Sequence, residues 1–399
     1  MRVRTLAAAV ALAALSVAVS AQNLDWNDIV AKARGQTVNF NAWAGDEKSN
    51  AFIQWAAQEV GRRYGVTLVH VKLKDTAEAV TRVVAEKAAG RNAGGTVDLI
   101  WINGPNFLAM KQQALLFGPF TQALPSYARV DTTTIRSNVI DFTIPVDGME
   151  SPWRRAQIVF VYDGKRVTNP PKSVAELLEW AKKNPGRLTH PSVRNFLGAT
   201  FLKQALWELA PDPAALQRPA TDDNFAAITA PMWTWYDALR PYLWRQGRQL
   251  PENGPAQRQL LNDGEIDMLV SFNPAEAAVS VHAGLLPDSV RTVVFARGTI
   301  GNTSFVAIPY NAAHKEAAMV VADFLLEPAT QAHAQDFRQM GNFTVLDFAK
   351  LSPDEKRRFD ELPKSPALPT NAELGTTVLE PHPSWMTRIA NEWEKRYTK

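Results

Sequence analysis

The sequence predicts an α/β protein in two lobes, on three observations. Short β-rich runs alternate with helical stretches, the mark of βαβ units and a mainly parallel sheet. The alternation falls into two blocks, one up to Asn103-Gly104-Pro105 and the helix after it, and one from residue 157 onward. And a chain of 399 residues exceeds what one hydrophobic core fills efficiently.

The elements follow in order. Residues 38–42 (VNFNA) read as a strand, and 49–63 as a helix with Phe52, Ile53, Ala56 and Val60 on one stripe. Residues 66–72 are strand-like, and 76–89 are helical up to a Gly-Arg-Asn-Ala-Gly-Gly breaker. Residues 97–102 (VDLIWI) form a strand that runs into Asn103-Gly104-Pro105 and a further helix. In the second block, 157–162 (QIVFVY) is a strand closed by Asp163-Gly164, and 173–183 is a helix ended by Asn184-Pro185-Gly186. Helices follow at 196–209 and 222–243, then a strand at 266–271 that stops at Asn273-Pro274. Strands at 290–295 and 304–308 and a helix at 314–326 complete the pattern.

The start of the chain sets the expected compartment. Arg2 and Arg4 precede an apolar run over residues 6–19, and Val19-Ser20-Ala21 offers small residues to a signal peptidase. The run is short for a membrane span, which takes roughly 20 apolar residues. A cleavable signal at 1–21, a mature start near Gln22 and a periplasmic protein are expected. The sequence holds no cysteine, so a lipid anchor, disulfides and thiolate metal sites are not expected. With Arg2 and Arg4 removed, 43 basic and 40 acidic residues come within one charge of balance. That leaves no electrostatic footprint for nucleic acid.

The motifs of enzyme chemistry are missing. There is no G-x-S-x-G elbow, no P-loop and no G-x-G-x-x-G. The six histidines, at 70, 190, 282, 314, 333 and 382, show no metal-ligand spacing. No catalytic residue, metal site or cofactor is expected. A periplasmic small-molecule hydrolase on the same fold stays as the alternative, beside a sensory ligand carrier.

Six stretches carry a family resemblance: NFNAWAGDEKSNAFI (39–53), DLIWINGPNF (98–107), DFTIPVDGMESPWRRAQIVFVYDGK (141–165), WAKKNPGRLTHP (180–191), DGEIDMLVSFNPAEA (263–277) and GTIGNTSFVAIPYNA (298–312). Together they resemble the type II periplasmic solute-binding proteins, most of all the YnjB-type branch related to polyamine- and thiamine-binding proteins. Two positions depart from that branch: His190 stands where an aromatic is usual, and Arg154 where a small residue is usual. The resemblance implies two α/β lobes joined by crossover strands near residues 157–162 and 304–308, with a ligand cleft between them. The first lobe would take 22–157 and 308–349, the second 158–307 with the C-terminal segment 350–399. It implies a monomer that hands a small solute to an ABC permease driven by a cytoplasmic ATPase.

In open α/β sheets, ligands collect where strands end and helices begin. After the first strand come Trp43, Gly45, Asp46 and Glu47: an aromatic face, close backbone approach, and two carboxylates. Asp46 is equally well explained as a helix N-cap. After the third strand come Asn103, Gly104 and Asn106, which also read as an ordinary turn. The opposite lobe offers Ser271, Phe272 and Asn273, the last also a natural cap before Pro274. Trp153, Arg154 and Asn302 lie near the crossovers. Aromatics beside Asp46 and Glu47 point to a cationic or zwitterionic solute. Arg154, His190 and helix N-termini point to an anion. The first reading is preferred at this stage.

Overall fold

Residues with alternating apolar side chains form the expected first strands. A computed structural model describes residues 25–398; the expected signal at 1–21 lies outside the described residues. Strands β1 (Thr37–Trp43), β2 (Thr67–Leu73) and β3 (Leu99–Ile102) run parallel, with β1 in the middle. A small hairpin, β4 (Ile140–Asp141) and β5 (Ile144–Pro145), comes before the long strand β6 (Glu150–Gln157). The second lobe holds β7 (Val159–Asp163), β8 (Met268–Ser271) and β9 (Val290–Val293). The chain then returns through β10 (Thr299–Ala307) and later adds β11 (Thr377–Leu379).

Strand β10 organises the six-stranded first sheet, and each of its residues is buried. One edge takes β6 antiparallel, from Gly301 opposite Gln157 to Ala307 opposite Glu150. The other edge takes β3 antiparallel at Phe305–Ala307 and β11 parallel at Thr299–Gly301. The expectation of a mainly parallel sheet holds for β1, β2 and β3 and is corrected in two places. β10 runs against its neighbours β3 and β6, and in the second sheet β7 is antiparallel to both β8 and β9. Alternation reports which face a side chain takes, not which way the next strand runs.

The two faces of each sheet are read off by residue parity. In the first, Val38, Phe40 and Leu99 pack with Phe52, Val60 and Phe324, while Ile100, Ile102 and Phe305 pack with Val83 and Phe107. In the second, Phe160, Met268 and Val270 face Phe201, Tyr236 and Trp385, and Val161, Leu269 and Val290 face Leu261 and Val279. Each such side chain, fully buried, contributes ~1.5–3 kcal/mol.

The first crossover is longer than expected, because β6 precedes the strand at 157–162. The sequence hides it: Pro152 argues against a strand, and Arg154-Arg155 against a buried one. A bulge resolves the conflict. The register shifts between Ser304 and Phe305, which pair with Arg154 and Pro152, so Trp153 has no partner. The second crossover likewise begins at Thr299 rather than 304. The two are tied together: Ile158 N–H donates to Ile300 O at 2.8 Å, and Gln157 Nε2 donates to Thr299 Oγ1 and Leu374 O, both at 2.9 Å.

The C-terminal segment touches both halves. Leu351 and Phe359 pack in the first core, Ala367 joins the second lobe, β11 pairs with β10, and Trp385, Ile389 and Trp393 enter the second-lobe core.

Candidate ligand cleft between the lobes

Strands β1 and β3 end on the same edge of the first sheet, and aromatic residues gather there. Trp43 meets Trp101 edge-on at 6.3 Å, and Trp101 meets Trp153 edge-on at 5.0 Å. Trp153 is 1% exposed and stacks on Phe52 at 5.9 Å. Arg154 lies on these rings, its Cζ 5.0 Å from the Trp101 centroid and 5.7 Å from that of Trp153. Its Nε is buried without a hydrogen-bond partner. Burial lowers the Arg154 pKa to about 10, with the Asp46 carboxylate pulling the other way, so the guanidinium is charged at neutral pH.

The neighbouring expected residues are held by local chemistry. Asp46 caps the Glu47–Tyr64 helix, accepting from Ser49 N–H at 2.8 Å and Ser49 Oγ at 2.7 Å. Glu47 is exposed in the first helical turn. A Cβ on Gly45 would come within 2.3 Å of Trp43 Cζ2, so glycine is what lets the indole fold back over the chain. Gly104 has φ +55°, its N–H donates to Asp141 at 2.5 Å, and a Cβ there would meet Phe142 at 2.7 Å. Asn103 precedes the Gly104–Gln112 helix without a side-chain cap bond, and it and Asn106 are partly exposed.

On the second lobe, β8 ends at Ser271, paired with Val159. Ser271 Oγ accepts from Asn273 N–H at 3.1 Å, and Asn273 Oδ1 accepts from Ala275 N–H at 3.0 Å. Asn273 thus shapes the turn before the Glu276–His282 helix. Phe272 packs edge-on against Phe196 at 5.3 Å.

Four groups at the junction were missed in the sequence. Lys203, 0% exposed, pairs with Glu380 at 2.5 Å and sits between the rings of Phe142 (4.7 Å) and Phe196 (4.9 Å). Asn302 Nδ2 donates to the other Glu380 oxygen at 3.1 Å. Phe142, on the first-lobe hairpin, therefore meets a second-lobe lysine. A lysine inside the apolar stretch FLKQALW was a usable signal; Glu380 carried none. Trp101, the fourth, was legible as part of a strand but not as a site residue.

His190 corrects another expectation. It lies in the second-lobe core rather than near the cleft, stacked on Phe201 at 4.7 Å and 0% exposed. Nδ1 faces Pro191 O at 2.7 Å, so Nδ1 donates and Nε2 accepts from Tyr236 OH at 2.9 Å. Burial lowers its pKa to about 4, so it is neutral.

Among the described residues, buried polar atoms without a hydrogen-bond partner include Asp141 Oδ1, Thr143 Oγ1, Arg154 Nε and Asn302 Oδ1. A depression lined by Phe225, Trp233, Asp237 and Arg396 holds none. Glu150, at the start of β6, is a related case with both oxygens unpartnered. Burial raises its pKa well above the usual carboxylate value. A raised folded pKa gives stability that is full below the unfolded pKa and is lost as pH rises through the folded one. Glu150→Gln is therefore expected to leave stability unchanged at pH 4 and to raise it at pH 8, by urea denaturation at both pH values. The wild-type loss that the variant escapes is at most about 1.4 kcal/mol per pH unit.

Two α/β lobes joined by crossover strands are the fold of the type II periplasmic binding proteins. The chain belongs to the bacterial extracellular solute-binding protein family, whose profile matches residues 55–367. It is similar to Protein YnjB of Escherichia coli strain K12, 41% identical over 376 residues and 94% of each chain. Among solved structures it resembles the spermidine/putrescine ABC transporter substrate-binding protein PotD of Streptococcus pneumoniae, with TM-score 0.62 and 15% identity, covering 91% of this chain and 100% of that one. It also resembles AfuA of Actinobacillus pleuropneumoniae, solved with fructose-6-phosphate bound, with TM-score 0.62 and 14% identity, covering 90% and 98%.

Proposed function

We propose that this protein captures a small polar solute in the cleft between its lobes, closes about its two crossovers, and presents the closed form to an ABC importer. The observation that carries this is the gathering of Trp43, Trp101, Trp153 and Arg154 at the carboxyl edge of the first sheet, with Arg154 Nε buried there without a partner among the described residues. Trp43, Gly45, Asp46, Glu47, Asn103, Gly104, Asn106, Trp153 and Arg154 form the first-lobe wall of this site. Ser271, Phe272 and Asn273 form the second-lobe wall, and Asn302 sits on the β10 crossover. Ligand bridging the walls stabilises the closed form by its differential affinity for it. The protein acts in the periplasm as a monomer, with no cofactor and no bond made or broken. Its partners are the permease and its ATPase.

The test is a thermal-shift screen of refolded, ligand-free protein, since a ligand that binds the folded state raises its melting temperature by mass action. Calorimetric titration of Trp43→Ala with the resulting ligand is expected to show affinity reduced about 5- to 30-fold, the worth of one aromatic face at ~1–2 kcal/mol. Ligand-free melting close to wild type with unchanged affinity would remove Trp43 from the site.

A further inference from the structure

We infer that the cleft selects an anionic solute, and that Arg154 is the specificity-determining residue that holds its carboxylate or phosphate oxygens. The inference rests on the cleft being the ligand site, as proposed above.

The first observation is how Arg154 is held. Its guanidinium lies over the Trp101 and Trp153 rings, its Cζ 5.0 and 5.7 Å from their centroids, which hold it at the first-lobe wall. The bulge at Trp153 sets this geometry, because Trp153 has no partner on β10 while Arg154 pairs with Ser304. The second observation is what Arg154 lacks. It forms no salt bridge among the described residues, and its Nε is buried and unpartnered. A charge withdrawn from water without a partner costs stability. A chain that keeps such a group at the edge of a ligand cleft retains it for what binds there.

The third observation concerns the negative groups on which a cationic solute would depend. Asp46 spends its Oδ2 on the Ser49 N–H and hydroxyl as a helix cap, and Glu47 is exposed in the first turn of that helix. Glu380 is neutralised by Lys203. Asp141 accepts from the Gly104 N–H and is pushed by burial toward its neutral form. The Asp46 carboxylate acts on Arg154 from nearby, but its Oδ2 is taken by the cap; the buried charged donor left without a partner at the first-lobe wall, among the described residues, is Arg154 Nε. A guanidinium fork matches a carboxylate or phosphate edge with two parallel hydrogen bonds. The Trp43 face beside it suits the uncharged part of the same solute.

The experiment is calorimetric titration of the full mature chain with matched solutes: carboxylates with their amides, phosphate monoesters with their parent alcohols, and putrescine and spermidine as the cationic arm. The expected hits are anionic, and neutral partners bind at least about tenfold more weakly. The carboxylate and phosphate arms show which oxyanion is used. Arg154→Gln is expected to weaken the anionic hit about 10- to 100-fold while leaving ligand-free melting unchanged or raised. Arg154→Lys, which keeps the charge but not the fork, is expected to fall between. Binding confined to the cationic arm, no anionic hit at 10 mM, or an anionic hit whose affinity Arg154→Gln leaves unchanged would overturn the inference. If that hit is lost in Trp43→Ala, the anion inference alone fails. If neither variant affects it, the cleft reading fails as well.

Discussion

Lys203→Met is expected to destabilise the protein by about 3–5 kcal/mol, because it leaves the Glu380 carboxylate buried without its cation. Both side chains are at most 1% exposed, and their contact is at 2.5 Å. The defect should shrink in acid. Unpaired and buried, Glu380 has a raised folded pKa, so its burden is absent below the unfolded pKa and grows as pH rises. Lys203→Met with Glu380→Gln removes both charges and leaves an oxygen to accept from Asn302, and should recover most of the loss. Urea denaturation of the two variants at pH 5 and pH 8 checks this. A single variant as stable as wild type at pH 8 would show that the pair carries no such constraint. The pair also sits where the Phe142 hairpin meets the second lobe, so the double variant should retain the fold while the lobes hold each other less firmly.

Trp153→Ala carries the second large effect, about 3–5 kcal/mol for removing a fully buried indole. Trp153 is 1% exposed, stacks on Phe52 and supports both Trp101 and Arg154. Its loss should therefore damage the site as well as the core. Affinity should fall by more than in Trp43→Ala, because the guanidinium loses part of its platform. Trp153→Phe restores an aromatic of smaller volume and should recover most stability and part of the affinity. Equal affinity in wild type and Trp153→Ala, measured at a temperature where both are folded, would separate this tryptophan from the site.

These two residues show where the sequence was legible. Strands β1 and β2 were readable because their apolar residues alternate, β3 because it is a short continuous apolar run, and a helix follows each. The helix at Phe196–Leu209 was readable for its apolar density. Trp43, Asp46 and Asn103 were singled out as candidates by position alone, at the ends of those strands. Strand β6 was not readable: Pro152 and two arginines disguise it, and only the pairing with β10 reveals a bulge that tolerates them. The antiparallel second sheet was equally hidden, since local patterning does not encode strand direction. Glu380 was invisible because its partner Lys203 lies 177 residues away, and such a pair exists only once the fold has formed. His190 misled for the converse reason. Its departure from the branch pattern pointed to the cleft, yet Tyr236 and Pro191 satisfy both its nitrogens inside the core.

The same distinction explains the changed view of ligand charge. Asp46 and Glu47 were conspicuous in the sequence as neighbours of an aromatic. Structure assigns Asp46 a capping role and leaves Glu47 in solvent, whereas Arg154, inconspicuous as half of an Arg-Arg pair, proves to be the desolvated charge without a partner.

The central claim is that the solute sits between the lobes, and the structure of the complex tests it most directly. A crystal structure with the ligand from the screen is expected to place it against Trp43 and Arg154 on one side and Phe272 and Asn273 on the other. A ligand bound instead in a depression outside the junction, such as that lined by Phe225, Trp233 and Arg396 between the Asp222–Leu239 and Pro383–Tyr397 helices, would contradict it.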